Sequence, residues 1–64
     1  MLTYRAHVAY GRGSWHIYVP ELDLMTYCYA SAEVTPWTRA LIANALDVPI
    51  DSFQVEIKLT QRMG

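Results

Sequence analysis

The chain has 64 residues, a formal net charge of −1 and 53% hydrophobic against 17% charged residues. This length allows one domain, residues 1–64, and so short a chain buries only about 60% of the surface that it exposes when unfolded. Domains of this size often need a disulfide, a structural metal or a partner subunit. Cys28 is the only cysteine, which excludes an internal disulfide, and no cysteine–histidine grouping has the spacing of a zinc site. We therefore expect a homo-oligomer, either a dimer or a larger assembly.

The charge balance excludes one class of partner. Five basic residues scattered along a chain of net charge −1 give no electrostatic footprint for a nucleic-acid backbone, so direct nucleic-acid binding is not expected. The first residues lack the basic start and apolar stretch of a signal peptide, and no run approaches the roughly 18 apolar residues of a membrane span. With a single thiol, we expect a cytoplasmic protein that does not bind membranes.

Four stretches alternate apolar and polar residues, which is the period of half-buried strands. The predicted strands span residues 2–10, 15–19, 25–29 and 53–60. Their predicted inner positions are Leu2, Tyr4, Ala6, Val8, Tyr10, Trp15, Ile17, Val19, Thr26, Cys28, Phe53, Val55, Ile57 and Leu59.

A glycine-containing turn joins the first two strands. Gly11 and Gly13 supply the positive φ values that a tight hairpin needs, so the second strand should pair antiparallel to the first. Pro20 removes a ladder donor and ends the second strand, and a bend at residues 21–23 leads into the third.

One helix is predicted, between the third and fourth strands. Its N-cap is either Ser31 or Thr35, and Thr35 has the better local chemistry because Pro36 would then occupy the first helical position. We expect a loose or 3₁₀-like turn from Ser31 and a regular helix over residues 36–46, which ends ahead of Pro49. The predicted inner stripe is Val34, Trp37, Leu41, Ala45 and Val48, widened by Ile42 and Leu46.

A helix in this place lets the fourth strand return parallel to the first through a right-handed crossover. The predicted fold is therefore α+β, of order β-β-β-α-β, with a four-stranded sheet of order 3-2-1-4. The helix covers one face of this sheet, and the other face is left open.

No catalytic site is predicted. A two-metal nuclease centre needs carboxylates on neighbouring strands, whereas strand one has none and Glu21 and Asp23 lie in a bend. Ser14 and His16 could belong to a triad, but no nucleophile elbow accompanies them and nothing in the pattern sets their geometry. Cys28 is expected as a buried thiol on the sheet face opposite both histidines. We expect a protein that is not an enzyme and holds no metal or cofactor.

The open sheet face is the surface best suited to binding. Aromatic and basic side chains from three strands converge there, and tyrosine and arginine are enriched at binding hot spots. The alternative is cross-strand aromatic pairing on a solvated sheet. Both tryptophans are assigned to core packing rather than to binding. The predicted partner-binding residues are Arg5, His7, His16, Tyr18, Tyr27 and Tyr29. A second candidate surface, for self-association, is the outer helix side with Ile42 and Leu46, for which burial within the monomer is the alternative.

Several short motifs resemble one family. They are the run from Trp15 to Glu21-Leu22, Thr26 followed by a helix, and Leu46-Asp47-Val48-Pro49 with Asp51-Ser52-Phe53-Gln54-Val55-Glu56. Together they resemble the amino-terminal domain of HicB-family antitoxins, particularly short actinobacterial versions, over nearly the whole chain. The resemblance implies a truncated ribonuclease H-like fold without nuclease activity. It also implies a partner, a small HicA-type ribonuclease toxin whose active site the antitoxin masks.

The chain departs from the family pattern at Tyr27, Tyr29 and Pro36, and we expect a short form without the carboxy-terminal DNA-binding domain of many family members. This is typical of a diverged copy carried by a phage or another mobile element. Two functions stay open: an antitoxin, or an orphan adaptor or inhibitor of the same fold that binds another host protein. A third, a weakly active nuclease, would require metal-dependent RNA cleavage.

Overall fold

The computed structural model describes residues 1–60 and has the predicted α+β architecture, so the last four residues of the predicted domain lie outside the described range. The strands are β1 (Thr3–Gly11), β2 (Ser14–Val19), β3 (Leu24–Cys28) and β4 (Gln54–Leu59), and a 3₁₀ turn (Ser31–Glu33) and helix α1 (Val34–Leu46) lie between β3 and β4. The sheet order is β3-β2-β1-β4, with β4 parallel to β1 and the other pairs antiparallel. The predicted fold class and strand order are confirmed.

The core lies between one face of the sheet and α1. Alternate residues of the two central strands point toward the helix, because successive side chains of a strand lie on opposite faces. Full burial of an aliphatic side chain contributes about 1.5–3 kcal/mol, so a small set of residues supplies most of the stability. The buried cluster consists of Ala6, Val8, Ile17, Val19, Cys28, Val34, Ile42 and Phe53.

The inner stripe of α1 differs from the predicted one. Its buried residues are Val34, Thr38 and Ile42, spaced four apart. Thr38 is fully buried because its Oγ1 donates a 2.7 Å hydrogen bond to the carbonyl of Val34, so the hydroxyl needs no water. Trp37, predicted for the core, is instead 45% exposed. The predicted stripe is therefore wrong beyond Val34: Leu41 is half-buried, and Ala45 and Val48 are exposed.

Ile42 belongs to the core. It has no exposed surface, so it is not available to a second copy as the prediction of self-association allowed. Leu46, one turn later on α1, keeps 36% of its surface exposed.

The start of α1 departs from the predicted caps, whereas its last residue is Leu46, as predicted. The 3₁₀ turn at Ser31–Glu33 confirms the expected loose start, but the N-cap is Glu33 and no side chain caps the helix. Pro36 lies in the first turn, where the backbone N–H groups have no intrahelical partner, so the proline is tolerated there. At the other end, Asp47 adopts a left-handed φ of 57° and its N–H donates to the carbonyl of Ala43.

The side chain of Arg39 binds the loop that follows the helix. Arg39 Nη1 donates to the carbonyls of Ile50 and Phe53, each at 3.3 Å. Phe53 is buried in the core, where its ring meets that of Tyr4 edge to face at a centroid distance of 5.8 Å. These contacts hold the segment immediately before β4, which pairs with β1.

Several predicted inner residues lie at the margin of the core. Tyr10 is 44% exposed and Trp15 is half-buried, with their ring centroids 4.9 Å apart beside the hairpin turn. Leu2 and Leu59 are largely exposed because they lie at the ends of the sheet. Among residues 1–60, no helix combines the length and the apolar character needed to cross a membrane.

The hairpin turn is tighter than predicted. Gly11 pairs with Ser14 inside the ladder, and the two turn residues are Arg12 and Gly13, with φ values of 57° and 79°. The positive φ assigned to Gly11 is therefore wrong, and Arg12 takes it. Two consecutive positive φ values are typical of a type I′ turn, in which the first position favours asparagine, aspartate or glycine.

Arg12→Asn is expected to raise the free energy of unfolding by about 0.5–1 kcal/mol, because asparagine adopts positive φ at lower cost than arginine. Arg12→Lys is the matched control, since it keeps both the charge and the conformational cost, and it should leave stability unchanged. Urea unfolding followed by circular dichroism measures both variants. An equal stability of all three proteins would contradict the turn assignment.

Candidate functional site

The register of the sheet places the predicted site residues on one face. Directly opposed residues of neighbouring strands share a face, and His7 is opposite Tyr18 while His16 is opposite Tyr27. Tyr29 follows the end of β3, and its ring meets that of Tyr27 at right angles with centroids 5.7 Å apart. Arg5 lies two residues before His7 on β1. The face opposite α1, which we call the open face, therefore brings together all six residues, and their role in binding stays a prediction.

Large side chains on the open face are accessible. Tyr18 is 40% exposed, Tyr27 53% and Tyr29 72%. Met25, opposite Tyr18 in the β2–β3 register, adds a side chain that is 75% exposed. Helix α1 packs on the other face, against the buried cluster, and so covers none of these residues.

A depression of about 310 Å³ lies at the centre of the open face. Ala9 lines this depression and is only 8% exposed, because its neighbours on the open face are longer. His16 lies directly opposite Ala9, and His7 lies two residues before it on β1. The depression is completed by Tyr18, Met25 and Thr60.

The charges on the open face are few and mostly paired. Arg5 Nε lies 3.4 Å from Glu56 Oε1, with both side chains more than half exposed, so the pair contributes only about 0–1 kcal/mol. Lys58, opposite His7 on β4, has no counterpart of opposite sign in this register. Besides the two histidines, the strands carry two cations, Arg5 and Lys58, and one carboxylate, Glu56, on this face. The electrostatics favour a partner surface that is neutral or weakly acidic.

The backbone N–H of Arg5 forms its hydrogen bond with a side chain and not with a neighbouring strand. β2 ends before Pro20, which has no N–H and cannot extend the ladder. The N–H of Arg5 instead donates to Glu21 Oε1 at 2.7 Å. Glu21 is therefore a structural residue of the predicted bend.

Ser14 and His16 are in contact, which the sequence pattern did not indicate. His16 Nε2 lies 3.1 Å from Ser14 Oγ and 3.2 Å from the carbonyl of Gly11. The Gly11 carbonyl competes with the serine for the same nitrogen, and Ser14 is only 7% exposed. Within residues 1–60, no group of three or more histidine, cysteine or acidic side chains could hold a metal ion. The contact lies beside the hairpin turn, and in residues 1–60 no acidic side chain is hydrogen-bonded to His16 as the third member of a triad.

Cys28 lies on the helix side of the sheet, since it is opposite Trp15 rather than either histidine. Only 2% of the residue is exposed, and Sγ donates a weak hydrogen bond of 3.5 Å to the carbonyl of Ala30. Burial raises the pKa of the thiol, and the nearby carboxylate of Glu33 raises it further. The thiol therefore stays protonated at neutral pH and is a poor nucleophile or metal ligand.

The sequence interpretation did not assign three residues that shape the surface of the domain. Met25 shares the open face with Tyr27, and the two-residue period of the third strand could have identified it. Ala9 matters through its small size, which no hydrophobic pattern signals. Trp37 was assigned to the core, but its indole Nε1 donates to Thr26 Oγ1 at 3.1 Å and its ring lies at the surface beside β3.

Comparison of the chain with protein-family models, with curated proteins and with solved structures gave no match. The resemblance to the antitoxin family therefore stays a hypothesis drawn from short motifs.

Proposed function

We propose that the chain is a noncatalytic protein-binding domain and that its open face contacts the partner. The observation that carries this proposal is the group of four large side chains on one uncovered sheet face, Tyr18, Met25, Tyr27 and Tyr29, with exposed fractions of 40% to 75%. Contiguous apolar patches of this kind are uncommon on monomeric domains unless they bind something.

The chemistry of the face suits protein recognition. A tyrosine ring is rigid, so it buries a large apolar area at a small entropic cost, and its hydroxyl keeps a hydrogen bond. The depression above Ala9 accepts one protruding side chain of the partner, between His7 and His16. Arg5 and Lys58 form a polar rim at the β1–β4 side. An apolar centre with a polar rim is the usual anatomy of an interface.

The partner class that the sequence motifs favour is a small ribonuclease toxin of the HicA type, neutralised by steric occlusion of its active site. In that role the chain performs no chemistry. A toxic short reading frame beside its gene, whose growth arrest is relieved by co-expression of this chain, would support the antitoxin role. Without such a neighbour, an adaptor or inhibitor of another host protein is the function proposed.

The test is affinity capture from the native host with mass spectrometry. The wild-type chain is compared with Tyr18→Ala/Tyr27→Ala, which truncates the open face. The matched control is Ile50→Ala/Leu59→Ala, which removes exposed apolar area elsewhere, since both residues are at least 49% exposed. A partner retained by the control and lost by the tyrosine variant supports the proposal. Equal capture by all three proteins contradicts it.

A further inference from the structure

The two edges of the sheet are protected unequally. β3 and β4 are the edge strands, and an edge strand presents backbone N–H and C=O groups that a further strand can bind. Natural edges are commonly protected by charged side chains or proline. β4 carries Glu56 and Lys58, whereas the five residues of β3, Leu24–Cys28, include no charge and no proline. Within residues 1–60, β3 pairs with β2 only.

Apolar side chains flank the β3 edge on both sides. On the helix side, a hydrogen bond to Thr26 holds Trp37 beside the strand. A groove of about 480 Å³ runs between the strand and the segment that contains the 3₁₀ turn and the start of α1. On the open face, Met25 and Tyr27 project from the strand itself and are 75% and 53% exposed. Exposed apolar side chains therefore lie on both sides of the less protected edge.

The β3 sequence is complementary to itself in an antiparallel arrangement. If a twofold axis passes through Thr26, Met25 lies opposite Tyr27 of the second copy. Leu24 then lies opposite Cys28, and Thr26 lies opposite its own counterpart. Threonine–threonine pairs and sulfur–aromatic contacts are favourable across strands, and no like charges meet. Such a twofold interface uses the same surface on both copies.

We infer that a second copy of this chain pairs with β3, antiparallel and centred on Thr26, so that four strands from each copy form one continuous sheet. The expected homo-oligomer is thus assigned to this edge, and not to the outer helix side, where Ile42 is buried. The dimer joins the two open faces and brings both pairs of Tyr27 and Tyr29 to the middle of a wider surface. The inference does not require the proposed partner-binding role.

Sedimentation at several protein concentrations tests the dimer. The wild-type chain should sediment as a dimer at micromolar concentration. Met25→Lys places two like charges at diagonal positions across the twofold axis and should weaken the dimer at least about tenfold, with an unchanged circular dichroism spectrum. Leu59→Lys is the matched control on the β4 edge, where the side chain is 72% exposed, and it should sediment like the wild type. A wild-type monomer at high micromolar concentration, or equal effects of both lysines, would overturn the inference.

Cross-linking tests the register without relying on a disruptive variant. In a Cys28→Ala background, Thr26→Cys should be joined to its counterpart by a short bismaleimide, whereas Leu59→Cys should give monomer. A dimer that cross-links at residue 59 and not at residue 26 would overturn the assignment. The single variant Tyr18→Ala separates this inference from the proposed function. Tyr18 lies on the central strand β2 and not on the β3 edge, so its truncation should weaken partner capture and leave the dimer intact.

Discussion

Ile42→Ala is expected to lower the free energy of unfolding by about 2–5 kcal/mol, which removes much or all of the stability of so small a domain. Ile42 has no exposed surface and is the last residue of the stripe through which α1 packs on the sheet. Truncation both returns apolar area to water and leaves a cavity that the strands cannot fill, since the sheet is held by its own ladders. Urea unfolding followed by far-ultraviolet circular dichroism measures the loss.

The control for this prediction lies one helical turn away. Leu46→Ala removes a side chain of the same volume from the same helix, but Leu46 is 36% exposed and lies at the last position of α1. We expect it to cost less than about 1.5 kcal/mol, because more than a third of its surface stays in water in the folded protein. If the two variants were equally stable, α1 would not dock on the sheet through Val34, Thr38 and Ile42.

Tyr18→Ala combined with Tyr27→Ala is expected to weaken the complex with the captured partner by about 2–4 kcal/mol, or about 30- to 1000-fold in dissociation constant. Both rings project from the open face and are 40% and 53% exposed, so a partner can bury most of their remaining surface. They lie on the neighbouring strands β2 and β3, and Tyr18 also lines the depression. Calorimetric titration with the purified partner measures the change.

The same variant should lose little stability. Neither ring belongs to the buried cluster, and a cross-strand contact contributes at most about 1 kcal/mol. The circular dichroism spectrum should therefore stay that of the wild type. A variant that unfolds would assign the tyrosines a structural role as cross-strand pairs, which was the alternative to binding. The Ile50→Ala/Leu59→Ala control should bind the partner with wild-type affinity.

The fold could be predicted from sequence because period-two alternation and two chain reversals determine the strand directions. Once β1 and β2 form a hairpin and a helix precedes β4, the parallel β1–β4 pairing follows from the preferred crossover. The stripe of α1 could not be predicted from hydrophobicity, which ranks Trp37 above Thr38. Thr38 is buried because a local hydrogen bond to Val34 satisfies its hydroxyl, and no apolar pattern signals such a bond.

The candidate site was predictable as far as it depends on alternation. Arg5, His7, His16 and Tyr18 follow directly from the side-chain period of their strands. Features that depend on turn geometry were not predictable: the contact between Ser14 and His16 requires the two-residue turn at Arg12 and Gly13. The helix also begins at Val34, two residues earlier than predicted.

Photocrosslinking in the native host tests most directly whether the open face binds a protein. A benzophenone side chain replaces Tyr18 on the open face in one protein, and exposed Ala40 on α1 in another. After irradiation, the adducts are identified by mass spectrometry. We predict one dominant protein adduct from position 18 and none from position 40. A protein adduct from position 40 alone, or an RNA adduct from position 18, would contradict the account.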